Sequence, residues 1–326
     1  MSAALALNFF ERNKNCFAIF GGVVSCIIGA KLCLHILKGI RSFFLAPLLK
    51  LGVNPKTLGS WAIVTGATDG IGKAYAIALA KKGMNIVLIS RTESKLTATA
   101  EEIKSIAEVR TKCVSIDFSE GIEIYKSIED ALEGLDIGIL VNNVGASYDY
   151  PEFFHQLPDG KNMVKKILNI NIFSVTYMTS IVLPKMVDKR KGAIVNVGSA
   201  SCFGFPLLTV YSATKAYVHS FSQNLAAEYS DKGIIIQSLM PGFITTKLSG
   251  IKRSSLFVPT PDVYVNCAIE SIGNESATYG YWSHSLMMLC LSVIKMMPRS
   301  FYLPKYLRAM ENQGKMNKER KAAKKQ

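Results

Sequence analysis

Paired cysteines are missing from this chain. The seven cysteines, at positions 16, 26, 33, 113, 202, 267 and 290, contain no Cys-x-x-Cys and no paired spacing, which argues against a disulfide framework. They are read as reduced thiols, mostly buried, in a catalytic part that faces the cytosol. Charge is also scarce. Only 19% of residues are charged against 49% apolar, a balance that points to membrane contact. Acid is scarcer than base, 24 residues to 38, for a formal net charge of +14. The bases are spread along the chain, so nucleic acid is not expected as a partner. Their only dense run is the tail, where Lys315, Lys318, Arg320, Lys321, Lys324 and Lys325 oppose Glu319. That tail is expected to be a solvated, mobile end resting on an anionic membrane surface. Lys324 and Lys325 loosely match a dilysine retrieval signal shifted by one residue. Of the histidines, His155, His219 and His284 lack the spacing of a metal site and are read as structural, with no metal implied.

Long apolar runs are present. From Cys16 to Leu37 the chain is apolar except for Lys31 and His35. At 1.5 Å per residue this run is long enough to cross about 30 Å of hydrocarbon. Lysine near a helix end can reach the interface. An interfacial helix and a cleaved signal peptide are the rivals, although no small-x-small cleavage site follows the run. Lys38, Arg41, Lys50 and Lys56 after the run outweigh Glu11, Arg12 and Lys14 before it, which places the body of the chain in the cytosol. A second apolar patch, Arg41 to Val53, is expected in the interface or re-entering the bilayer.

From Ser60 the pattern changes to short apolar runs alternating with helical stretches. Such alternation predicts a doubly wound parallel α/β sheet with its ligand site at the carboxyl ends of the strands. Strands are expected over 61–65, 85–90, 111–116, 138–141, 193–197 and 233–239. The first runs into Thr65-Gly66-Ala67-Thr68-Asp69-Gly70-Ile71-Gly72, followed by a helix over 73–82. Strand, glycine-rich turn and helix together form a cradle for a pyrophosphate, whose charge sits at the helix N-terminus. After the second strand comes Ser90-Arg91-Thr92, with no acid until Glu93. Arginine there accommodates the 2′-phosphate of NADP, where an acid would bind the ribose of NAD. Asp117 ends the third strand, placed to cap the adenine side, and Asn142-Asn143-Val144-Gly145 follows the fourth. A long helix over 167–181 contains Asn171.

The fifth strand ends in Gly198-Ser199, and Tyr211-Ser212-Ala213-Thr214-Lys215 follows. Residues at i and i+4 share a helix face. A lysine ammonium near the Tyr211 phenol is expected to lower its pKa from about 10 toward the range of general acid–base work. The sixth strand leads into Pro241-Gly242-Phe243-Ile244-Thr245-Thr246.

Taken together, TGATDGIG, Asp117, NNVG, Asn171, Ser199, YSATK and PGFITT resemble the short-chain dehydrogenase/reductase family from about Ser60 to Gly280. NNVGASYDYPEFF, LLTVYSATK and the N-terminal anchor look like its 17-beta-hydroxysteroid dehydrogenase type 3/type 12 branch. That branch includes endoplasmic-reticulum very-long-chain 3-oxoacyl-CoA reductases and the nematode steroid dehydrogenases. The resemblance implies a Rossmann-type single domain that uses NADPH to reduce a lipid ketone, either a 3-oxoacyl-CoA or a 17-ketosteroid. Tyr211 would be the general acid, Lys215 would lower its pKa and hold the nicotinamide ribose, and Ser199 would stabilise the carbonyl oxygen. Asn171 would hold a relay water. Thr65, Gly66, Asp69, Gly70, Ile71 and Gly72 would form the pyrophosphate cradle, with Arg91 on the 2′-phosphate. Asp117 and Asn143 would flank adenine and its ribose, and Ile244 and Thr246 would meet the carboxamide.

One departure stands out. Ser199 precedes Tyr211 by 12 residues, one fewer than the family usually shows. Either the loop 200–208 is shorter by one residue or the serine role is compromised, with Ser201 as its replacement. The spacing also motivates an alternative function, an NADP-binding scaffold subunit of a lipid-metabolic complex. The expected organisation is a membrane anchor and linker over 1–57, an NADP-binding domain over 58–283, and an apolar segment with a basic tail over 284–326. A flexible loop over 254–261 would cover the site. The methionine-rich stretch 279–297 would line an acyl tunnel, rest on the membrane or serve as a core helix. The implied partners are the lipid ketone and the membrane, with a homodimer as a further candidate. The implied location is the endoplasmic-reticulum membrane.

Overall fold

Burial explains why the strands read as continuous apolar runs. In the computed structural model, which describes residues 3–49, 51–157 and 159–323, β1 (Trp61–Thr65), β4 (Ile137–Asn142) and β5 (Gly192–Val197) are buried at every position. A parallel sheet covered on both faces leaves no strand side for polar residues. With β2 (Asn85–Ser90), β3 (Thr111–Ser115), β6 (Ile234–Leu239) and β7 (Ala277–Thr278), these strands form one sheet in the order β3-β2-β1-β4-β5-β6-β7. Every pairing is parallel. The seventh strand, two residues long, was not among the six expected.

Alternate side chains feed two cores. Ala62, Val64, Ile86, Leu88, Val141 and Val195 pack on one face with α3 (Gly70–Lys81), α4 (Glu93–Ile106) and α9 (Pro261–Ile269). Ile63, Val87, Ile89, Leu140 and Ile194 pack on the other with α5 (Ile124–Ala131) and α7 (Ser174–Asp188). The order reverses between β1 and β4, so the crevice at their carboxyl ends is the switch point where such sheets bind ligands.

The helix expected over 167–181 is longer and interrupted. α6 (Gly160–Leu168) passes through a π-helical turn, Asn169–Phe173, into α7. Asn171 lies in that turn, and π-turns of this kind are frequent at functional sites. Helix α8 (Thr209–Glu228) carries Tyr211 and Lys215.

α1 spans Ala3–Ile40 and continues through a π-turn, Arg41–Leu45, into a short α2 (Ala46–Leu48). At 1.5 Å per residue its 38 residues reach about 57 Å. Ile19, Phe20, Val23, Ile27, Leu34 and Leu37 are all exposed. From Cys16 to Leu37 this helix exposes an almost wholly apolar surface, which suggests membrane association. Gly160–Asp188 is also long and apolar enough to span, but it is largely buried inside the domain. The base of α1 is tied to the domain: the Ser42 hydroxyl donates to the Glu275 carboxylate, and Lys38 lies 3.7 Å from its other oxygen. The Val53 N–H donates to the Ile272 carbonyl at 3.3 Å.

Two expectations are corrected here. The cysteines are not mostly buried: all seven are free, but Cys16, Cys26, Cys33, Cys113 and Cys290 are exposed and Cys202 and Cys267 half-buried. The first three sit on the unpacked anchor helix, and Cys113 lies on the edge strand β3. The basic tail, expected as a solvated, mobile end, is exposed at Lys315, Lys318 and Arg320 but is helical. After α10 (Trp282–Lys295), helix α11 runs from Arg299 to Ala323. It lies against the domain, with Lys318 at 3.7 Å from Glu152 and Tyr306 edge-on to Phe205 at 5.5 Å. Lys50, Lys324 and Lys325 lie outside the described residues.

Candidate active site

The glycine-rich turn leaves β1 and enters α3 with its backbone drawn in tightly. Gly66 takes φ +65°, the left-handed region that glycine enters freely. A Cβ on Gly72 would stand 2.3 Å from both Asn143 Nδ2 and the Gly66 carbonyl. Glycine therefore lets the start of α3 lie directly on the turn. Asn143 holds the other side, its amide donating to the Thr65 carbonyl at 2.9 Å and the Gly66 carbonyl at 3.3 Å. The Thr65 hydroxyl accepts from the N–H groups of Asn143 and Val144 at 2.9 and 3.1 Å. Asp69 caps α3 through the Gly70 N–H at 2.8 Å. It also pairs with Lys247 at 2.5 Å, so the loop after β6 reaches the turn. That loop carries Ile244, buried, and Thr246, whose Cγ2 lies 3.2 Å from where a Cβ of Gly70 would be. Ile71 packs partly buried against the core.

At the far end of the crevice, Arg91 is exposed just beyond β2. Burial pushes the Asp117 carboxyl up. The backbone N–H and hydroxyl of Ser119 and the charges of Arg91 and Lys166 outweigh it and hold the group below its ordinary range. An arginine facing outward, a backbone turn stripped of side chains and no acid at the end of β2 fit a dinucleotide with an extra phosphate on its adenine ribose. Asp69, Asp117 and Asn143 thus line the crevice, although Asp69 Oδ1 is already occupied by the helix cap.

The catalytic candidates meet at the carboxyl ends of β4 and β5. Lys215 is 4% exposed, and its ammonium donates to the Val197 carbonyl at 2.9 Å. Burial lowers its pKa from 10.5 to about 8. It lies 5.9 Å from the centre of the Tyr211 ring. A lowered phenol was expected from this neighbour, but the opposite holds in this site. Burial pushes the Tyr211 phenol up, and hydrogen bonds from Ser199 and then Ser201 offset it only in part. Desolvation outweighs charge here because the ammonium points to Val197 rather than to the phenol. The phenol stays protonated at neutral pH and is a proton donor.

The short serine loop brings in both hydroxyls. Ser199 lies two residues beyond β5, and its Oγ accepts from the Ser201 N–H at 3.1 Å and the Ser201 hydroxyl at 2.9 Å. A hydroxyl has one proton and two lone pairs. With both lone pairs used, the Ser199 proton faces the Tyr211 phenol. The Ser212 hydroxyl closes the loop, donating to the Ser201 carbonyl at 2.6 Å and accepting from the Phe205 N–H at 3.0 Å. Asn171, fully buried, grips Ala146 through its N–H at 2.8 Å and its carbonyl at 2.9 Å, and donates to Thr214 Oγ1 at 2.9 Å. A Cβ on Gly145 would stand 3.5 Å from the Lys215 ammonium and 3.7 Å from Asn171 Oδ1. Thr214, a middle residue of the Tyr-x-x-x-Lys stretch, was missed by the sequence reading.

Lys215 also makes a stability prediction. Its pKa in the folded chain lies below the unfolded value, so below pH 8 the fold carries the cost of a buried ammonium. That cost disappears as pH rises from about 8 to 10.5, where the unfolded chain binds the extra proton. The stability of the cofactor-free chain should therefore rise by about 3 kcal/mol across that window relative to Lys215→Met. Urea unfolding of both proteins at pH 7, 9 and 10.5 measures it; parallel pH profiles would contradict it.

A doubly wound parallel sheet, a glycine cradle at its switch point and a Tyr-x-x-x-Lys pair with a buried lysine beside a serine define a dinucleotide-dependent oxidoreductase, and the chain belongs to the short-chain dehydrogenase family, which matches residues 60–255. It is 51% identical to the human very-long-chain 3-oxoacyl-CoA reductase over 253 residues, 77% of this chain and 80% of that protein. It is 54% identical to the zebrafish very-long-chain 3-oxoacyl-CoA reductase-B over 236 residues, 72% of this chain and 76% of that one. Among solved structures, a short-chain dehydrogenase from Sphingobium yanoikuyae in complex with NADPH matches with a TM-score of 0.61 and 28% identity, covering 73% of this chain and 96% of that one. A 3-oxoacyl-(acyl-carrier-protein) reductase from Agrobacterium tumefaciens with NADP bound matches with a TM-score of 0.59 and 25% identity, over 67% and 90%.

Proposed function

We propose that this chain reduces the 3-oxo group of long-chain acyl-CoA thioesters with NADPH, at the endoplasmic-reticulum membrane and with its catalytic domain in the cytosol. The observation that carries the reading is the half-buried, protonated Tyr211 phenol set between the Ser199–Ser201 hydroxyls and Lys215. The thioester substrate is inferred from the reductases that the chain resembles over three-quarters of its length. Apolar side chains at the mouth suit a lipid. Phe203 and Leu256 are exposed, and each is joined to the apolar helix α10, through Lys295 to the Phe203 carbonyl at 2.8 Å and Ser283 to the Leu256 carbonyl at 2.8 Å.

When bound, the reduced nicotinamide supplies the hydride. Gly66, Gly70 and Gly72 would hold the pyrophosphate, Arg91 the 2′-phosphate, and Ile244 and Thr246 the carboxamide end. Ser199 turns its one proton from the Tyr211 phenol to the substrate carbonyl oxygen, where negative charge develops, and Ser201 fixes its direction. Tyr211 delivers its phenolic proton to that oxygen. Lys215 would stabilise the phenolate left behind by turning its ammonium from the Val197 carbonyl toward the ring 5.9 Å away, and Asn171 holds the backbone beside it.

The two serines predict unequal losses. Ser199→Ala should lower kcat about 10²-fold or more, as for one donor to a developing oxyanion. Ser201→Ala should cost about tenfold, one ordinary hydrogen bond. The reverse order would give the donor role to Ser201.

The test of the whole reading is NADPH and NADH oxidation by the detergent-solubilised chain, with a long-chain 3-oxoacyl-CoA and a 17-ketosteroid in parallel. Turnover of the thioester with NADPH at least about tenfold above the steroid supports it, a preference worth about 1.4 kcal/mol. Preference for the steroid would overturn the substrate.

A further inference from the structure

We propose that Ser283 and His284, in the first turn of α10, lock the cofactor loop to the substrate loop, and that His284 is a positioning residue for the nicotinamide end of the cofactor. The proposal rests on the reading that residues 242–246 hold that end. His284 is wholly buried, and both its ring nitrogens are spent on the loop after β6. The Gly242 N–H donates to Nδ1 at 3.2 Å, and Nε2 lies 3.1 Å from the Phe243 carbonyl. A backbone N–H can only donate and a carbonyl only accept, so the ring is neutral with its proton on Nε2. Burial pushes the ring's pKa down, which keeps that form in place, while the Phe243, Phe257 and Tyr279 carbonyls pull the other way. The ring also packs flat against the loop: a Cβ on Gly242 would stand 3.0 Å from His284 Cδ2.

The neighbouring residue makes the second half of the lock. Ser283, also wholly buried, donates to the Leu256 carbonyl at 2.8 Å. Two consecutive residues thus hold the loop that carries Ile244 and Thr246 on one side and, on the other, the loop 255–258 that is read as covering the substrate end of the site. The loops also meet directly, the Thr245 N–H donating to the Pro259 carbonyl at 3.1 Å. Tyr264 and Tyr281 flank the imidazole at 5.6 and 5.5 Å. Entry of a chain under residue 256 would be felt at residues 242–243 through Ser283 and the adjoining His284 ring.

The test uses the full chain in detergent, as wild type, His284→Leu, His284→Gln and Ser283→Ala. Amide hydrogen exchange is read without cofactor, and NADPH affinity by its fluorescence. His284→Leu should speed exchange over residues 242–246 and 255–258 and weaken NADPH by about tenfold or more, as for loss of buried hydrogen bonds, with exchange in β1, β4 and β5 unchanged. His284→Gln, which can keep one of the two bonds, should fall between. Ser283→Ala should loosen 255–258 and raise KM for a long-chain 3-oxoacyl-CoA, with NADPH affinity unchanged. NADPH affinity within about twofold of wild type in His284→Leu, below the loss of a single bond, or an equal rise of exchange across the sheet strands, would overturn the proposal. Exchange and NADPH affinity decide it even if the wild type reduces no thioester, a result that would count against the substrate alone.

Discussion

Tyr211→Phe is expected to lower kcat by about 10³-fold or more while leaving NADPH affinity within about twofold, because general acid catalysis is worth about 10² to 10⁴. The substitution removes one oxygen and keeps the ring. The ring's packing at the start of α8 and its approach to the Lys215 ammonium at 5.9 Å are retained. What is lost is the proton that the site transfers to the carbonyl oxygen. Burial keeps that proton on the phenol, so the donor is present before substrate arrives. Lys215, with its pKa near 8 and its ammonium bonded to Val197, cannot replace it from that position. Steady-state rates and NADPH fluorescence on the same preparation measure both effects. A loss below tenfold, less than about 1.4 kcal/mol of barrier, would remove Tyr211 from the mechanism.

Gly72→Ala is expected to weaken NADPH binding by about 10²-fold or more, the equivalent of about 3 kcal/mol. An added methyl would collide with Asn143 Nδ2 and the Gly66 carbonyl, each 2.3 Å away. Relief requires Asn143 to release the Thr65 and Gly66 carbonyls, and those bonds shape the cradle. Helix propensity runs the other way, since alanine is favoured over glycine by about 1 kcal/mol inside a helix. A variant that is more stable than the wild type and still binds NADPH would show that close packing at Gly72 does not shape the cradle.

The legible parts of the fold were those governed by local pattern. β1, β4 and β5 were plain because strands buried on both sides are apolar throughout. The glycine turn was plain because its spacing answers to backbone sterics. The π-turn at Asn169–Phe173 was not, since one extra residue in a helical turn leaves the composition of the helix unchanged. β7 was invisible at two residues, held only by its bonds to β6. The direction of the Tyr211 shift was misjudged because a sequence shows that a lysine is near but not where its ammonium points. His284 looked structural for the same reason: its two bonds go to backbone 41 and 42 residues away, and no spacing in the chain announces them. The cysteines were misplaced because a cysteine on a helix that packs on nothing, such as α1, has no core to enter.

A single turnover with NADPH carrying deuterium at the nicotinamide C4, and a long-chain 3-oxoacyl-CoA as the oxidant, tests the central claim most directly. The predicted result is a 3-hydroxyacyl-CoA with deuterium on the former carbonyl carbon, one per NADPH consumed, with the rate abolished in Tyr211→Phe. NADPH bound but no labelled alcohol from the wild-type chain would contradict it.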